Sequence, residues 1–126
     1  MNDAEHKLQC ACVKWFRYAH HDMASVLFAV PNGGARDAVT GAKLKAEGVV
    51  AGVADILLLV PNAEHNALAI EMKTPTGRQS PAQKEWQQAA ERVGVQYVVA
   101  RSLPEFIDAV EKYFEENRKK STKNVG

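Results

Sequence analysis

The sequence predicts a mixed α/β fold, in which one β-sheet is flanked by helices. Four runs are mainly apolar, of strand length and bounded by turn-forming residues. They are residues 25–30, 56–60, 67–73 and 95–100. Three other stretches repeat apolar residues every three or four positions, as amphipathic helices do. They are residues 2–20, 80–94 and 102–114. The predicted order is α-β-β-β-α-β with a further C-terminal helix, and residues 37–47 are a short helix or irregular.

The last predicted strand, residues 95–100, is apolar except for Gln96 and follows a helix. A strand, helix, strand sequence of this kind forms a parallel crossover in most proteins. We therefore expect this strand to lie parallel to the preceding one and in the centre of the sheet.

Length and composition indicate one ordinary globular domain. The chain has 126 residues and a formal net charge of +1, so any affinity for nucleic acid must come from the placement of charges. We expect the domain to span residues 1–116 and the basic residues 117–126 to form a disordered tail.

No apolar run reaches membrane-spanning length, and the first residues are too polar for a secretory signal, so a cytoplasmic protein is expected. The glycine-rich nucleotide motifs are absent, and no nucleotide cofactor is predicted.

The central feature is a predicted hairpin between residues 56–60 and 67–73. If its turn is centred near Ala63, Asp55 and Glu71 lie at equal distances from that centre and face each other across the pair. Because strand side chains alternate, Glu71 and Lys73 lie on one face of the sheet, opposite to Met72. One face therefore gathers two carboxylates and an ammonium group.

Two opposed carboxylates repel each other unless a proton or a cation lies between them. Oxygen ligands without a neighbouring His or Cys favour Mg²⁺ or Mn²⁺. The alternative is a solvated hairpin with two acids at its edge and a lysine that neutralises them. Spacing alone does not separate these two interpretations.

The motifs around the hairpin resemble those of a known family. G-V-A-D and then E-M-K follow N-G-G-x-R and G-A-K-L-K-A-E-G-V, and they precede G-R-Q-S-P-x-Q-x-x-W. This combination is similar to the VRR-NUC family of the PD-(D/E)XK nuclease superfamily, from Glu5 to about Phe114. One position departs from the pattern, because Ala54 stands where a proline usually precedes the metal-binding aspartate. That proline only stiffens the approach to Asp55.

The resemblance implies a nuclease-type sheet and a set of site residues. Asp55 and Glu71 would bind Mg²⁺ or Mn²⁺, together with the Met72 carbonyl group and with Glu5, directly or through water. Lys73 would act as a base toward water or stabilise the transition state. Glu5 also has a structural explanation, because it stands three residues after Asn2 and completes a capping box there. The two roles of Glu5 are compatible.

Gln83 likewise has two explanations. It stands three residues after Ser80, where it completes the capping box of the helix that begins at Pro81. The resemblance adds a position near the catalytic lysine, where Gln83 would help to place water or phosphate.

Basic residues near these motifs are candidates for contacts with DNA phosphates, although isolated basic residues are more often solvated surface. The candidates are Arg36, Lys43, Lys45 and Arg78.

The predicted function is that of a metal-dependent DNA endonuclease. Structure-selective members of the resembled family suggest branched DNA, such as a four-way Holliday junction. Symmetrical cleavage of a junction needs two sites, so a homodimer is expected. The alternatives are a flap, end-processing or duplex-cutting nuclease with the same site, and a catalytically silent DNA-binding module with the nuclease fold.

Overall fold

The computed structural model describes residues 3–31 and 38–125. The helices are α1 (Asp3–Ala19), a 3₁₀ helix (His21–Val26), α2 (Ala38–Ala46), α3 (Pro81–Arg92) and α4 (Leu103–Val125). The strands are β1 (Leu27–Ala29), β2 (Ile56–Leu58), β3 (Ala67–Met72) and β4 (Val95–Ala100). None of the helices in these ranges is long and apolar enough to cross a membrane.

The strands form one mixed sheet with the order β1-β2-β3-β4. β1 and β2 are antiparallel, as are β2 and β3, whereas β3 and β4 are parallel and joined through α3. The predicted mixed α/β fold and the parallel crossover are therefore confirmed. The central position predicted for β4 is wrong, because β4 lies at the edge of the sheet. β4 is mainly apolar because helices pack on both of its faces, with Trp86 of α3 on one side and Phe106 of α4 on the other.

Alternation along β3 divides the core between the two faces of the sheet. Leu68, Ile70 and Met72 are buried in a large cluster with residues of α1 and α4. Ala69 lies on the opposite face, in a smaller cluster with Tyr97 and with Trp86 of α3. Glu71 and Lys73 share this second face, so α3 covers the side of the sheet that carries the charged groups.

Several boundaries differ from the sequence prediction, and β2 for example ends at Leu58 rather than at residue 60. Ser25 and Val26 belong to the 3₁₀ helix rather than to a strand, because the polar His20-His21-Asp22 stretch continues from α1 into a tighter turn. α3 ends at Arg92 rather than at residue 94, and Val93, which follows it, is exposed. α4 includes residues 117–125, the segment predicted as a tail, and no Pro or Gly interrupts it there.

Candidate active site

The hairpin register places Asp55 opposite Glu71. Ile56 pairs with Ile70 and Leu58 with Leu68, so the pairing is centred on Ala63, as predicted. Asn62 stabilises the turn, because its side-chain oxygen accepts hydrogen bonds from the backbone N–H groups of the two residues that follow Ala63. The next pair beyond Ile56 and Ile70 is Asp55 with Glu71. The two carboxylates are therefore neighbours at the end of the antiparallel pair.

Asp55 is fixed by the backbone of the opposite strand. The Met72 N–H donates to Asp55 Oδ2 at 2.7 Å, and the Asp55 carbonyl oxygen accepts from Val30 N–H at 2.8 Å. A carboxylate that accepts a backbone N–H bond loses freedom to rotate away from its partner strand. Asp55 is thus held beside the end of β3, next to the carboxyl group of Glu71.

Glu71 is almost completely buried, with 1% of its surface exposed. Its two oxygens have different partners. Oε2 accepts from Gln83 Nε2 at 3.0 Å and lies 3.8 Å from Lys73 Nζ, and Oε1 accepts from the Tyr97 hydroxyl at 3.3 Å. Buried carboxyl groups need such partners, because an unpaired buried charge is costly. Glu71 is therefore the centre of a polar network inside an otherwise apolar layer.

The environment raises the pKa of Glu71 from its ordinary value of 4.5 to about 8. Burial is the largest cause, and the neighbouring Asp55 carboxyl group adds to it, while Lys73 and Tyr97 act in the opposite direction. Without a cation the favoured state is therefore a carboxyl group that keeps its proton at neutral pH. A cation between Asp55 and Glu71 would relieve the same repulsion.

Lys73 is held as a donor by Gln83. Lys73 Nζ donates to Gln83 Oε1 at 2.9 Å, and the same oxygen accepts from the Ser80 backbone N–H at 2.8 Å. The Ser80 hydroxyl accepts from Gln83 N–H in return, which completes the predicted capping box of α3. The predicted cap is therefore confirmed, and the same amide contacts both charged groups of the site; a role in placing water or phosphate stays a prediction.

Gly52 brings the N-terminus of α3 close to the hairpin. Its φ is +83°, and a Cβ at this position would lie 2.3 Å from the Ala82 carbonyl oxygen. Only glycine combines that backbone conformation with so close a contact. The segment that leads into Asp55 therefore packs directly against the first turn of α3, which carries Gln83.

The loop after β3 is fixed by Arg101. Its Nη1 atom donates to the carbonyl oxygens of Thr74 at 2.8 Å and Gly77 at 2.7 Å. The Lys73 N–H also donates to the Ala100 carbonyl oxygen at 3.1 Å, which extends the parallel pairing by one residue. Hydrogen bonds thus hold the backbone on both sides of Lys73, and they fix the position from which the Lys73 side chain extends.

A cavity of about 410 Å³ opens at this end of the sheet. Its walls come from α1, from β1 and the residues after it, from the hairpin and from α3. The lining residues are Glu5, Gln9, Ala29, Val30, Pro31, Asp55, Glu71, Met72, Lys73 and Gln83. A cavity with convergent polar groups and a carboxyl group of strongly raised pKa is the usual form of an active site.

The structure brings Glu5, Asp55, Glu71, Met72, Lys73 and Gln83 together at this cavity, but not the basic residues that were predicted to contact DNA. Lys43 and Lys45 lie exposed on α2, and Arg78 lies exposed in the loop after β3. None of these three side chains lines the cavity. Arg36 and Asn2, the predicted cap of the first helix, lie outside the described residues.

Sequence reasoning missed Tyr97, Gln79 and Gln9. Tyr97 contacts Glu71, and Gln79 orients Tyr97 by donating from Nε2 to its hydroxyl at 3.0 Å. The signal for Tyr97 was the one hydroxyl group in a mainly apolar strand, three positions before the end of that strand. Gln9 gave none, because it stands at the edge of the inward face of α1.

The donor set suits a hard divalent cation. Asp55 and Glu71 provide two carboxylates at the wall of a cavity large enough for water and phosphate oxygens, and Mg²⁺ is commonly bound by one or two carboxylates in this way. Within residues 3–31 and 38–125, no three His, Cys, Asp or Glu side chains form a group that could hold a metal. Glu5 lines the same cavity without joining the pair in such a group.

Comparison with known proteins identifies the family. The family model of the VRR-NUC domain matches residues 2–104. A solved structure described as a VRR_NUC domain protein aligns with a TM-score of 0.80 and 22% identity, over 93% of each chain, and so shares the fold. No curated protein matches the sequence significantly. The chain belongs to the VRR-NUC domain family, which implies a nuclease-type function with DNA as the substrate.

Proposed function

We propose that the protein is a Mg²⁺- or Mn²⁺-dependent DNA endonuclease whose active centre is formed by Asp55, Glu71 and Lys73. The observation that carries this proposal is the pairing of a buried carboxyl group with a second carboxylate and an ammonium group at one cavity. A solvated hairpin would not bury Glu71 to 1% exposure or surround it with three polar side chains.

Asp55 and Glu71 are the residues that would hold the metal ion. The Met72 carbonyl group and Glu5 are further oxygen donors at the same cavity and are proposed as additional ligands, Glu5 directly or through water. When bound, the ion would supply a water of lowered pKa and neutralise negative charge on the phosphate.

Lys73 is proposed to act on the phosphate as an ammonium group. Its Nζ donates to Gln83 Oε1 at 2.9 Å and lies 3.8 Å from Glu71 Oε2, at the wall of the cavity. The remaining N–H of the ammonium group can donate to a phosphate oxygen, where charge develops in the transition state. The alternative is that Lys73 removes a proton from the attacking water.

Gln83 and Tyr97 are proposed as positioning residues. Gln83 fixes the distance between Lys73 and Glu71, since one amide group contacts both. Tyr97 holds the other oxygen of Glu71 from the opposite side. Because each of them binds one oxygen of Glu71, together they hold its carboxyl group in one orientation beside Asp55.

Branched DNA is the proposed substrate, and a homodimer the proposed active form. Cutting a four-way junction on both sides requires two active sites, and each chain has one such centre in its described residues. Light scattering of the protein bound to a junction should give two chains per junction. One chain per junction, with normal cleavage, would exclude symmetrical resolution. A cytoplasmic location remains part of this proposal.

The function is tested by cleavage of a panel of labelled four-way junction, flap and plain duplex substrates, with Mg²⁺, with Mn²⁺ and with EDTA. Wild type should cleave with either metal and not with EDTA. Asp55→Asn and Lys73→Ala should lose cleavage and still bind DNA, and Asp108→Asn, an exposed helix substitution, should behave as wild type. Full cleavage by Asp55→Asn would contradict the assignment of Asp55 to the active centre. Preferential cleavage of flaps or of plain duplex would contradict branched DNA as the substrate.

A further inference from the structure

A groove of about 380 Å³ runs along the outer face of α1, beside the candidate active site. The described residues that line it are His6, Gln9, Cys10, Val13, Lys14 and Arg17. They recur at helical spacing, so they form one continuous stripe on α1. Gln9 lines both this α1 groove and the catalytic cavity. The two spaces therefore meet at Gln9.

The α1 groove carries positive charge that the rest of the described chain does not neutralise. Lys14 and Arg17 are exposed and form no ion pair with any residue of the described ranges, and no acidic residue is among the described lining residues. On the same helix, Lys7 lies outside the groove and pairs with Asp3 at 3.1 Å. The lining of the groove is therefore complementary to an anion.

Gln9 adds a second and independent observation. Its side-chain oxygen is buried and has no hydrogen-bond partner among the described residues. Buried polar atoms normally have a partner, so an orphan atom at the wall of two spaces indicates a missing ligand or water. Rotation of the side-chain amide by about 180° would exchange its oxygen and its NH₂ group, and the NH₂ group can donate to a phosphate oxygen.

We propose that the α1 groove binds the sugar–phosphate backbone of the DNA strand that leaves the active site. Gln9 contacts the phosphate nearest the cavity, and Lys14 and Arg17 contact the following phosphates. From Gln9 to Arg17 the helix rises about 12 Å, the axial length of about three to four nucleotides of one strand. The proposal rests on the proposed function, because the active site defines where the strand begins.

Binding of fluorescein-labelled DNA in EDTA, followed by fluorescence anisotropy over a range of salt concentrations, tests the α1 groove without cleavage. Lys14→Ala combined with Arg17→Ala should raise the Kd at least about tenfold near 0.1 M salt and reduce the salt slope by about 1.5. Arg92→Ala combined with Lys112→Ala removes the same charge from exposed positions on α3 and α4 and should leave both quantities close to wild type. Equal effects of the two pairs would overturn the proposal.

Cys10 provides a second readout on the unmodified chain. It is exposed in the α1 groove, whereas Cys12 is buried. Bound DNA should slow alkylation of Cys10 by a maleimide several-fold, and an unchanged rate at saturating DNA would contradict a strand in the groove. The two proposals fail separately. If wild type binds DNA through the α1 groove but never cleaves it, only the proposed nuclease activity is refuted. If the Lys14 and Arg17 double variant binds and cleaves normally, only the proposed role of the groove is refuted.

Discussion

The side-chain amide of Gln83 hydrogen-bonds the buried carboxyl group of Glu71, with 3.0 Å between Nε2 and Oε2. Through its oxygen the same amide accepts from Lys73 Nζ and from the Ser80 backbone. The N-terminal cap of α3 is therefore also a wall of the candidate active site. Any change that moves the start of α3 should alter the geometry of Lys73 and Glu71.

Gln83→Ala should reduce cleavage about 10- to 100-fold, because Lys73 and Glu71 lose the group that fixes their separation. It should also lower the free energy of unfolding by about 1 kcal/mol through loss of the cap. Ser80→Ala is the matched control, since it removes a comparable capping bond and leaves the Gln83 contacts with the site. Urea unfolding and cleavage rates of both variants test this. Equal losses of activity would mean that Gln83 acts only as a cap.

Tyr97→Phe should impair both stability and cleavage, because the Tyr97 hydroxyl contacts a residue of the active site. Loss of its bond to Glu71 Oε1 should lower the free energy of unfolding by about 1 kcal/mol and slow cleavage about tenfold. Tyr113→Phe removes a similar bond, to the Val60 carbonyl oxygen at 2.6 Å, on the opposite face of the sheet. That variant should lose the same stability with no loss of activity. If both variants cleave equally well, Tyr97 has no positioning role.

Gly52→Ala should be far more damaging than Gly48→Ala, although both glycines have positive φ. At Gly52 the new methyl group meets the backbone of Ala82, so backbone strain and overpacking add to about 2–5 kcal/mol of lost stability. At Gly48 nothing lies within 4 Å, so only the strain of about 1–2 kcal/mol remains. Thermal unfolding of both variants measures the difference. Equal losses would contradict the close packing of this segment on α3.

The metal-free protein should lose stability as pH rises from about 5 to about 8, through Glu71. Its pKa is raised in the folded state to about 8, so the folded chain keeps a proton that the unfolded chain releases above 4.5. More protons bound to the folded state mean that unfolding becomes easier with rising pH. Glu71→Gln removes this contribution. In EDTA, the free energy of unfolding of wild type relative to Glu71→Gln should therefore fall across this window, and parallel pH profiles would contradict it.

The sequence predicted the fold and the pairing of Asp55 with Glu71 because both follow from local patterns. Strand length, turn residues and alternation are visible in the hairpin, and the capping box of α3 is visible in Ser80 and Gln83. The position of β4 at the edge was not visible, because a strand covered by helices on both faces has the same composition at the edge as in the centre.

The supporting residues of the site depend on contacts between distant segments. Tyr97 reaches Glu71 because β4 runs parallel to β3 in a register that pairs Tyr97 with Ala69. Gln9 reaches the cavity because α1 crosses the end of the sheet. Such contacts are set by the packing of whole elements, and a pattern of residues along one element does not contain them.

Isothermal titration calorimetry of Mn²⁺ into the protein tests most directly whether Asp55 and Glu71 share a metal ion. Wild type and the surface control Asp108→Asn should bind Mn²⁺ with the same heat and affinity, and Asp55→Asn should bind at least about tenfold more weakly. Binding by Asp55→Asn that equals wild type, or no binding by wild type, would contradict a metal centre at this hairpin.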